Sequence, residues 1–461
     1  MIEMSNKDAL VGISKIIGRI KSKFYSIEEP DKLLEFINDN IKPTTENKKS
    51  RGEVFTPMEL VNEMLDKLPK DVWTNPDLKW LDPAAGMGNF PIAVYLHLFK
   101  SLKPFEPNDE KRRKHILEKM LYMVEIDKYN VFMIKKILCG HKYKLNIFEG
   151  SFIEGEKYPK VYKTDLKFDV IMGNPPFQNT DIDGNRRALL NNLWSLFIDK
   201  SFNKLLKNNG FLVYITPISW MSNGFKYKDV FYKNYILYLN INECNKWFNV
   251  GSQFSYYIIK KTTTKQLTES ICNYKSKNYK SSFIIPNTFS YLPKLLTKES
   301  LTIINKFYNN KIKKISFNSS SVLHHFFKKK LIGLCDKKFI YPIRHTKTHN
   351  NLCSSIKHPL ANKNKILLNI SGNLDPLYDN GKIGITEAQM YFITNNKQYI
   401  KILNSNLFKF VFDICKWSGF NILSMFKNIP YIEKYTTNEN IYKIFKLTKL
   451  EIAIIEEHIK I

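Results

Sequence analysis

Three things are missing from the 461-residue sequence: long apolar runs, paired cysteines and two common nucleotide-binding signatures. No apolar run approaches the ~20 residues that cross a bilayer, and the polar opening MIEMSNKDAL is not a secretory signal. We therefore expect a cytoplasmic protein with no membrane partner. The six cysteines are scattered without a CxxC pair, which predicts reduced thiols rather than a disulfide framework.

The missing nucleotide-binding signatures argue against two classes of ligand. The loop Gly-x-x-x-x-Gly-Lys-Ser/Thr, which cradles the phosphates of ATP, does not occur in the sequence. Gly86 and Gly88 form a Gly-x-Gly turn, but Pro91 stands where the dinucleotide fingerprint requires a third glycine. ATP and NAD are therefore not the expected ligands.

Acidic residues are scarce, above all in the C-terminal part of the chain. The sequence contains 71 Lys and Arg against 43 Asp and Glu, a net charge of +28. Residues 1–265 hold 41 basic and 31 acidic residues, whereas residues 266–461 hold 30 and 12. An A+T-rich genome raises lysine throughout a chain, but it does not explain the loss of acids after residue 265. The C-terminal part therefore predicts a polyanionic partner, with nucleic acid favoured.

Hydrophobic periodicity divides the chain into three regions. Residues 1–50 have an amphipathic helical pattern and end in a polar linker. Over residues 51–265 short apolar runs such as FDVIMG alternate with helical patterns, which predicts a doubly wound α/β sheet. Residues 266–461 lose this regularity, and there we expect a mixed α+β domain. In a doubly wound sheet, ligands bind outside the carboxyl ends of the strands.

Two motifs at predicted strand ends indicate a ligand that contains a nucleoside. LDPAAGMGNF places Asp82 after a strand, with Gly86 and Gly88 in the turn before a helix, where backbone approaches a ligand closely. LYMVEID ends the next strand with Glu125, a carboxylate placed to accept hydrogen bonds from ribose hydroxyls. Each motif alone also fits a tight turn or a solvated carboxylate. Together they favour the nucleoside.

The segment NPPF, residues 174–177, points to a specific chemistry. Pro175 and Pro176 fix two φ angles directly after a buried strand. The amide oxygen of Asn174 and a proline-fixed carbonyl then offer two acceptors to the hydrogens of one planar NH₂ group. Accepting both draws the nitrogen out of conjugation and frees its lone pair, while Phe177 stacks on the base. A proline turn without a function is the alternative.

In combination, these motifs resemble those of the S-adenosylmethionine-dependent DNA adenine-N6 methyltransferases of restriction–modification type. RGEVFTPMELVNEML resembles the first cofactor motif, LDPAAGMGNF the glycine motif, VEID the ribose motif and NPPF the catalytic motif. KWFNVGSQFSYYIIKK resembles the segment whose aromatic residue packs on the flipped base, and we favour Phe248 over Phe254 for that role. The resemblance is strong over residues 51–262 and weaker beyond them.

The resemblance implies a Rossmann-like methyltransferase sheet over residues 51–265 and a basic DNA-recognition domain over 266–461. It implies transfer of a methyl group from S-adenosylmethionine to N6 of an adenine flipped out of double-stranded DNA, without a metal. The catalytic segment would be Asn174, Pro175, Pro176 and Phe177, with Phe177 and Phe248 stacking on the target base. The cofactor would be held by Thr56, Pro57, Asp82, Pro83, Ala84, Gly86, Gly88, Glu125, Ile126, Ser151 and Phe152.

Some features are less firmly tied to the family. Ser151 stands where the family usually has an Asp that binds the amino group of the cofactor's adenine. Arg186 and Arg187, in the polar loop after NPPF, are the predicted phosphate contacts, with solvated loop arginines as the alternative. We expect a monomer, and a cognate restriction endonuclease is a possible partner.

Other readings remain open. RNA and protein N-methyltransferases also carry NPPY or NPPF, but generally lack the first cofactor motif and a long basic second half. A catalytically inactive DNA-binding homologue is the other alternative, supported by Ser151 alone. A metal site formed by His345, His349, Cys353 and His358 is less favoured than a polar loop.

Overall fold

The computed structural model describes residues 26–29, 56–153, 166–177, 193–222, 224–248, 253–286, 292–323, 331–346, 352–417 and 423–460. Two compact units divide the chain. The first consists of Met1–Ile218 and Asp229–Glu269, and the second of Ser219–Lys228 and Ser270–Ile461. The helical region predicted over residues 1–50 lies outside the described residues apart from 26–29.

The first unit contains the alternating strands and helices that the periodicity predicts. Its strands are β1 (Trp80–Asp82), β2 (Leu121–Glu125), β3 (Asn146–Glu149), β4 (Phe168–Gly173), β5 (Leu206–Pro217), β6 (Tyr235–Ile241) and β7 (Phe254–Lys260). The helices introduced along with them are α1 (Met58–Leu65), α2 (Asp71–Thr74), α3 (Asn89–Ser101), α4 (Asp109–His115), α5 (Lys128–Ile137), α6 (Leu193–Asp199) and α7 (Lys228–Tyr232). Helices α4 and α6 continue as π-helical turns over Ile116–Met120 and Lys200–Leu205.

The seven strands lie in the order β3-β2-β1-β4-β5-β7-β6. Strands β3, β2, β1, β4 and β5 are parallel to one another, whereas β7 runs antiparallel to both β5 and β6. Every residue of β1 is buried, as expected for a central strand covered on both faces. The predicted doubly wound α/β fold is confirmed. Because the strand order reverses between β1 and β4, a crevice opens outside the carboxyl ends of these two strands.

Helices α1 and α3 pack on this sheet through apolar stripes. Met58, Val61, Met64 and Leu65 of α1 are buried in the same core cluster as Trp80 of β1. Helix α3 is apolar around most of its circumference, and its first seven residues, Asn89 to Tyr95, are buried, as is Leu98. The helices that carry the first two cofactor motifs are therefore fixed by core packing, which holds the loops at their N-termini in place.

The second unit mixes small sheets with helices. Its strands are β8 (Thr268–Tyr274), β9 (Lys277–Phe283), β10 (Lys314–Ile315), β11 (Asn318–Ser319), β12 (Ile332–Leu334), β13 (Tyr341–Arg344), β14 (Leu352–Ser354), β15 (Asn364–Asn369), β16 (Leu377–Asn380), β17 (Gly384–Ile385), β18 (Gln389–Ile393) and β19 (Ile429–Pro430). Its helices are α8 (Lys298–Tyr308), α9 (Tyr399–Leu403), α10 (Asn406–Ile414), α11 (Asn438–Ile444) and α12 (Lys449–Lys460). Strands β11-β18-β15-β16 form one sheet and β12-β14-β13-β17 another. A mixed α+β domain was the expectation for this region.

One prediction about the cysteines is wrong. Cys335 and Cys353 form a disulfide bond, whereas the other four cysteines are buried and are not part of a disulfide bond. The reason is strand register: Gly333 of β12 pairs with Cys353 of β14, and Cys335 lies two residues after Gly333, so that its Cα lies 4.9 Å from that of Cys353 on the diagonal between the two strands. A separation of 18 residues without a CxxC spacing does not show this pairing in the sequence.

The disulfide also removes Cys353 from the alternative metal site, because a bonded sulfur is not a thiolate ligand. His349 lies outside the described residues, and His358 instead contacts the Ser320 hydroxyl through Nε2 at 3.0 Å. Within the described part of the chain, no group of three or more His, Cys, Asp and Glu side chains is arranged to hold a metal ion. The same residues include no helix that is long and apolar enough to span a membrane.

Candidate active site

The crevice between β1 and β4 is lined by the motifs that the sequence singles out. Asp82 ends β1, and Gly173 ends β4 directly before Asn174. Gly173 has φ +153°, and a Cβ atom placed on it would lie 2.9 Å from Asp82 Oδ1. A glycine at this position therefore allows the carboxyl ends of the two strands to come together.

The glycine loop after β1 is held by its own backbone and by Asp82. Asp82 Oδ1 accepts a hydrogen bond from the Ala84 N–H at 3.0 Å. Gly88, with φ +94°, begins helix α3, and a Cβ atom there would approach Ile134 Cγ1 to 3.1 Å. The left-handed backbone and the close helix packing together require glycine, as the motif predicts. Pro83 is buried beneath the loop.

Glu125 has a structural role that sequence reasoning did not identify. Its Oε2 accepts a hydrogen bond from the Gly86 N–H at 2.7 Å, and its Oε1 accepts one from the Asp127 N–H at 2.8 Å. The carboxylate thereby ties the turn after β2 to the glycine loop after β1. Each carboxylate oxygen has more than one lone pair, so these bonds leave capacity to accept from a diol.

Ile126, next along the chain, is 64% exposed although it is apolar. The residue after it, Asp127, caps helix α5 by accepting from the Tyr129 N–H at 2.8 Å and the Asn130 N–H at 3.1 Å. This cap fixes the turn and keeps Ile126 at its tip. The exposed Ile126 side chain, next to the Glu125 carboxylate that is predicted to bind ribose, offers an apolar surface to a flat heterocycle.

Ser151 and Phe152, which follow β3, are placed differently from each other. The ring of Phe152 is buried and packs against Phe197, with ring centroids 4.8 Å apart. The Lys200 Nζ donates to the Phe152 carbonyl at 2.6 Å. Ser151 is half-buried, and its hydroxyl oxygen accepts from the Ile153 N–H at 3.3 Å. The hydroxyl thus caps its own turn as a short Asp side chain would.

The segment NPPF, the predicted catalytic segment, directly follows β4. The Asn174 Nδ2 donates a hydrogen bond to Thr56 Oγ1 at 2.9 Å, which joins NPPF to the first cofactor motif across 118 residues of sequence. Thr56 is buried, and Pro57 precedes helix α1 at its N-cap position. The structure therefore brings the first cofactor motif and the catalytic motif into direct contact.

Three aromatic rings lie together at the end of NPPF, and one of them, Phe177, is its last residue. Phe254, at the start of β7, is only 2% exposed, whereas Phe177 and Phe248 are half-buried. The Phe254 ring centroid lies 4.9 Å from that of Phe177 and 5.2 Å from that of Phe248. Phe254 is therefore a core residue that supports both neighbours, and the two flanking rings keep surface for a ligand.

Phe248 ends a tight 3₁₀ turn, Glu243–Trp247, that sequence reasoning did not interpret. The Asn245 Oδ1 accepts from the Phe254 N–H at 2.8 Å, and the Asn245 carbonyl accepts from the Phe248 N–H at 2.9 Å. Asn242 enters the turn with φ +62°, a conformation that asparagine tolerates better than most residues. The asparagines in INECNKWF are the sequence signal for this turn.

Arg186 and Arg187, the predicted phosphate contacts, lie outside the described residues, as does the rest of the polar loop QNTDIDGNRR.

These features define a class. A doubly wound sheet carries a glycine loop after β1, an acidic residue at the end of β2 and NPPF after β4, all near one switch point, which is where such sheets bind nucleotide-type ligands and where the resemblance places the site of a methyltransferase.

Comparison with known proteins is consistent with that class. Residues 94–248 match the model of the family described as Eco57I restriction-modification methylase, which confirms the resemblance inferred from the motifs. The chain is 26% identical over 311 residues to an uncharacterised adenine-specific methylase of Mycoplasma pneumoniae, covering 52% of this chain and 70% of that protein. It is 27% identical over 151 residues to the type II methyltransferase M.VspI of a Vibrio species, covering 32% of this chain and 30% of that enzyme.

Among solved structures, the chain is similar in fold to the type IIL restriction-modification enzyme MmeI in complex with DNA. The TM-score is 0.50 at 10% sequence identity, covering 95% of this chain and 75% of MmeI. At this identity the similarity concerns the fold.

Proposed function

We propose that the protein is a site-specific DNA methyltransferase that transfers a methyl group from S-adenosylmethionine to N6 of adenine in double-stranded DNA. The observation that carries the proposal is the geometry at the end of β4. There, the Asn174 amide is fixed by a hydrogen bond, the half-buried rings of Phe177 and Phe248 both pack on Phe254, and Gly173 lies against Asp82 at the start of the glycine loop. The matches to adenine-specific methylases and to the Eco57I family support the same reaction.

The residues at the switch point fit S-adenosylmethionine as the cofactor. Glu125 is placed to accept from the ribose hydroxyls, Ile126 to cover one face of the adenine, and the loop of Gly86 and Gly88 to lie against the methionine part. Pro57, Ala84, Ser151 and Phe152 complete the proposed site. S-adenosylmethionine supplies an electrophilic methyl group on a positively charged sulfur.

The catalytic segment then acts on the acceptor amine. The Asn174 Oδ1 and the Pro175 carbonyl each accept one hydrogen of the adenine NH₂ group, which makes the nitrogen lone pair available for direct attack on the methyl group. Because Pro175 and Pro176 hold these acceptors in place beforehand, no reorganisation is needed as positive charge develops. An adenine inside a duplex does not reach this site, so the base has to be flipped out, at a cost of about a few kcal/mol.

The second unit supplies a basic surface for DNA, as its excess of 30 basic over 12 acidic residues after position 265 suggests. Lys311 and Lys313 of the cluster KIKK are exposed, whereas the Lys314 Nζ donates to the Asn310 Oδ1 at 2.8 Å. The cluster FKKK lies outside the described residues. The proposal includes a monomeric protein in the cytoplasm, and a cognate restriction endonuclease that acts in the same cell.

The direct test is to incubate the purified protein with unmethylated genomic DNA and S-adenosylmethionine, and then to sequence the DNA for modified bases. N6-methyladenine at one short motif is the expected result. If RNA or protein is methylated and DNA is not, the acceptor named in this proposal is wrong. Cofactor binding without transfer to any acceptor would identify an inactive homologue.

Asp82 leads to a prediction about pH. Burial is the main cause of a rise in the pKa of Asp82 to about 8; the Ala84 N–H opposes this rise and the nearby Glu125 charge adds to it. The side chain is therefore largely protonated at pH 7. A cationic ligand favours its charged form, so binding of S-adenosylmethionine releases a proton and the affinity rises by about tenfold or more between pH 6 and pH 8. Above the pKa the affinity levels off.

Calorimetry in two buffers of different ionisation enthalpy measures the protons released on binding. The amino group of the ligand titrates in the same range, and Asp82→Asn serves as the control because it retains only that contribution. A pH profile of Asp82→Asn identical to that of the unmodified protein would contradict the assignment.

Phe248→Ala tests the stacking role. Stacking of a base on an aromatic side chain contributes about 1–3 kcal/mol, so we expect roughly tenfold slower methylation and a weaker fluorescence increase from 2-aminopurine at the target position. Phe105→Ala is the matched control, because Phe105 is 52% exposed in the same unit and lies outside the proposed site. Equal effects of the two substitutions would rule out a special role for Phe248.

A further inference from the structure

A chain of hydrogen bonds connects three sequence motifs beneath the proposed active site. The Asn89 Nδ2 donates to the backbone carbonyl of Thr56 at 2.8 Å, and the Asn174 Nδ2 donates to the Thr56 hydroxyl oxygen at 2.9 Å. Asn89 is the first residue of α3, directly after Gly88. Thr56 lies two residues before α1, and both Thr56 and Asn89 are buried.

The bond to Thr56 holds the Asn174 amide in place beside the end of β4. An asparagine side chain presents an acceptor oxygen on one side and an NH₂ donor on the other. With its Nδ2 bonded to the Thr56 hydroxyl oxygen, Asn174 keeps its oxygen on the side away from Thr56. In the reverse orientation, an NH₂ group would face the NH₂ group of the acceptor base, and two donors make no hydrogen bond. The structure has the orientation that the proposed chemistry requires, and the bond to Thr56 holds the amide in it, although a threonine hydroxyl is able to donate as well as accept.

Core packing alone does not explain an asparagine at position 89, because its buried amide group is energetically unfavourable there. Its Oδ1 is buried and has no hydrogen-bond partner among the described residues. An unsatisfied buried acceptor is unfavourable by about 1–3 kcal/mol, which an apolar residue of similar size would avoid. The favourable contribution of the Asn89 amide is the hydrogen bond that its Nδ2 donates to the Thr56 carbonyl. It fixes the Thr56 backbone and therefore the position of the Thr56 hydroxyl.

We propose that Thr56 is a positioning residue that orients the Asn174 amide for catalysis, and that Asn89 holds Thr56 in the position to do so. The resemblance assigns Thr56 to cofactor binding, and this second role concerns the rate of transfer instead. Asn89 directly follows the glycine loop and bonds to Thr56, which in turn bonds to Asn174. The position of the glycine loop and that of the catalytic amide are therefore coupled through Thr56. The inference rests on the proposed methyltransferase function.

The test compares Thr56→Val, which removes the hydroxyl at nearly constant volume, with Thr56→Ser, which keeps it. We expect the single-turnover rate of methyl transfer, at saturating DNA and cofactor, to fall about tenfold or more in Thr56→Val and less than about threefold in Thr56→Ser. Because the resemblance also assigns Thr56 to the cofactor site, the dissociation constant of S-adenosylmethionine is measured for each variant, and saturating cofactor keeps any change in affinity out of the transfer rate. Asn89→Ala should slow transfer in the unmodified protein but add little to Thr56→Val, because both changes disturb one chain of contacts.

An increased dissociation constant of the cofactor at an unchanged transfer rate in Thr56→Val would overturn the proposal and leave Thr56 as a cofactor contact only. Equal rates in the Val and Ser variants would also overturn it. A readout independent of activity is the hydrogen exchange of the Asn174 side-chain amide, assigned by NMR with Asn174→Asp. Exchange should accelerate in Thr56→Val and not in Thr56→Ser; unchanged exchange would refute the hydrogen bond itself. A wild-type protein without transferase activity would refute the proposed function, whereas the exchange measurement still tests the hydrogen bond between Asn174 and Thr56.

Discussion

Asn174→Ala is expected to abolish methyl transfer while the protein still binds S-adenosylmethionine. The substitution removes the acceptor oxygen that the structure fixes at the end of β4 through the bond to Thr56. Removing one preorganised hydrogen-bonding group that stabilises developing charge costs about 10²–10³ in rate in other enzymes. We expect at least that loss here, because the same oxygen also positions the acceptor nitrogen. Incorporation of a labelled methyl group into DNA measures the transfer, and calorimetry measures cofactor binding.

Asn174→Asp refines this test. The aspartate keeps an oxygen on the side of the acceptor base but loses the N–H that donates to the Thr56 hydroxyl oxygen, so the hydroxyl has to donate instead. We expect activity between that of the unmodified protein and that of Asn174→Ala. Transfer by Asn174→Ala at close to the unmodified rate would show that NPPF is a structural turn. Loss of cofactor binding in the same variant would show that Asn174 acts on the cofactor site.

The fold of the first unit is largely predictable because its signals are local. Buried strands such as FDVIMG are short apolar runs, and the helices between them have apolar stripes that match the 3.6-residue period. The boundary between α6 and β5 is less predictable. The sequence favours one helix over residues 188–207, but Leu206 pairs with Phe168 of β4, and this tertiary pairing begins the strand where the local pattern still favours helix.

In the second unit, weak sequence signals were harder to interpret. Helix α8 begins after Thr297, whose hydroxyl caps the Ser300 N–H at 3.1 Å, and its buried face is formed by Leu301, Ile304 and Phe307. The cap and the spacing are both visible in TKESLTIINKFY. The Asn-rich and Lys-rich composition around them obscures the signal, because polar residues dominate the exposed side of the helix.

For the site, the sequence predicts which motifs matter but not how they touch. The glycines and NPPF are recognisable because each meets a local backbone requirement. The Gly86 N–H donates to Glu125, 39 positions away, and the Asn174 amide donates to Thr56, 118 positions away. No local sequence pattern encodes these two hydrogen bonds. The Cys335–Cys353 bond was missed for the same reason, because it depends on the register of two strands.

Gly173→Ala is expected to have the second large effect, on stability and on activity together. Gly173 has φ +153°, a conformation that side chains rarely adopt, and such strain costs about 1–3 kcal/mol. The added Cβ would lie 2.9 Å from Asp82 Oδ1, too close for the buried carboxyl group to remain where it is. Either Asp82 or the backbone before Asn174 has to move. A displacement of about 1 Å at a reacting centre costs about 10² in rate.

Gly224→Ala is the matched control, since a Cβ atom at Gly224 would meet no heavy atom within 4 Å. We expect thermal unfolding of Gly173→Ala at a lower temperature than that of Gly224→Ala, and about a hundredfold slower methyl transfer at a temperature where both are folded. The rate comparison separates the two consequences of the clash, because a purely global loss of stability leaves the transfer rate of the folded protein unchanged. Equal rates in the two variants would mean that the carboxyl ends of β1 and β4 tolerate a wider spacing than their contact in the structure, and that the position of Asn174 does not depend on Asp82.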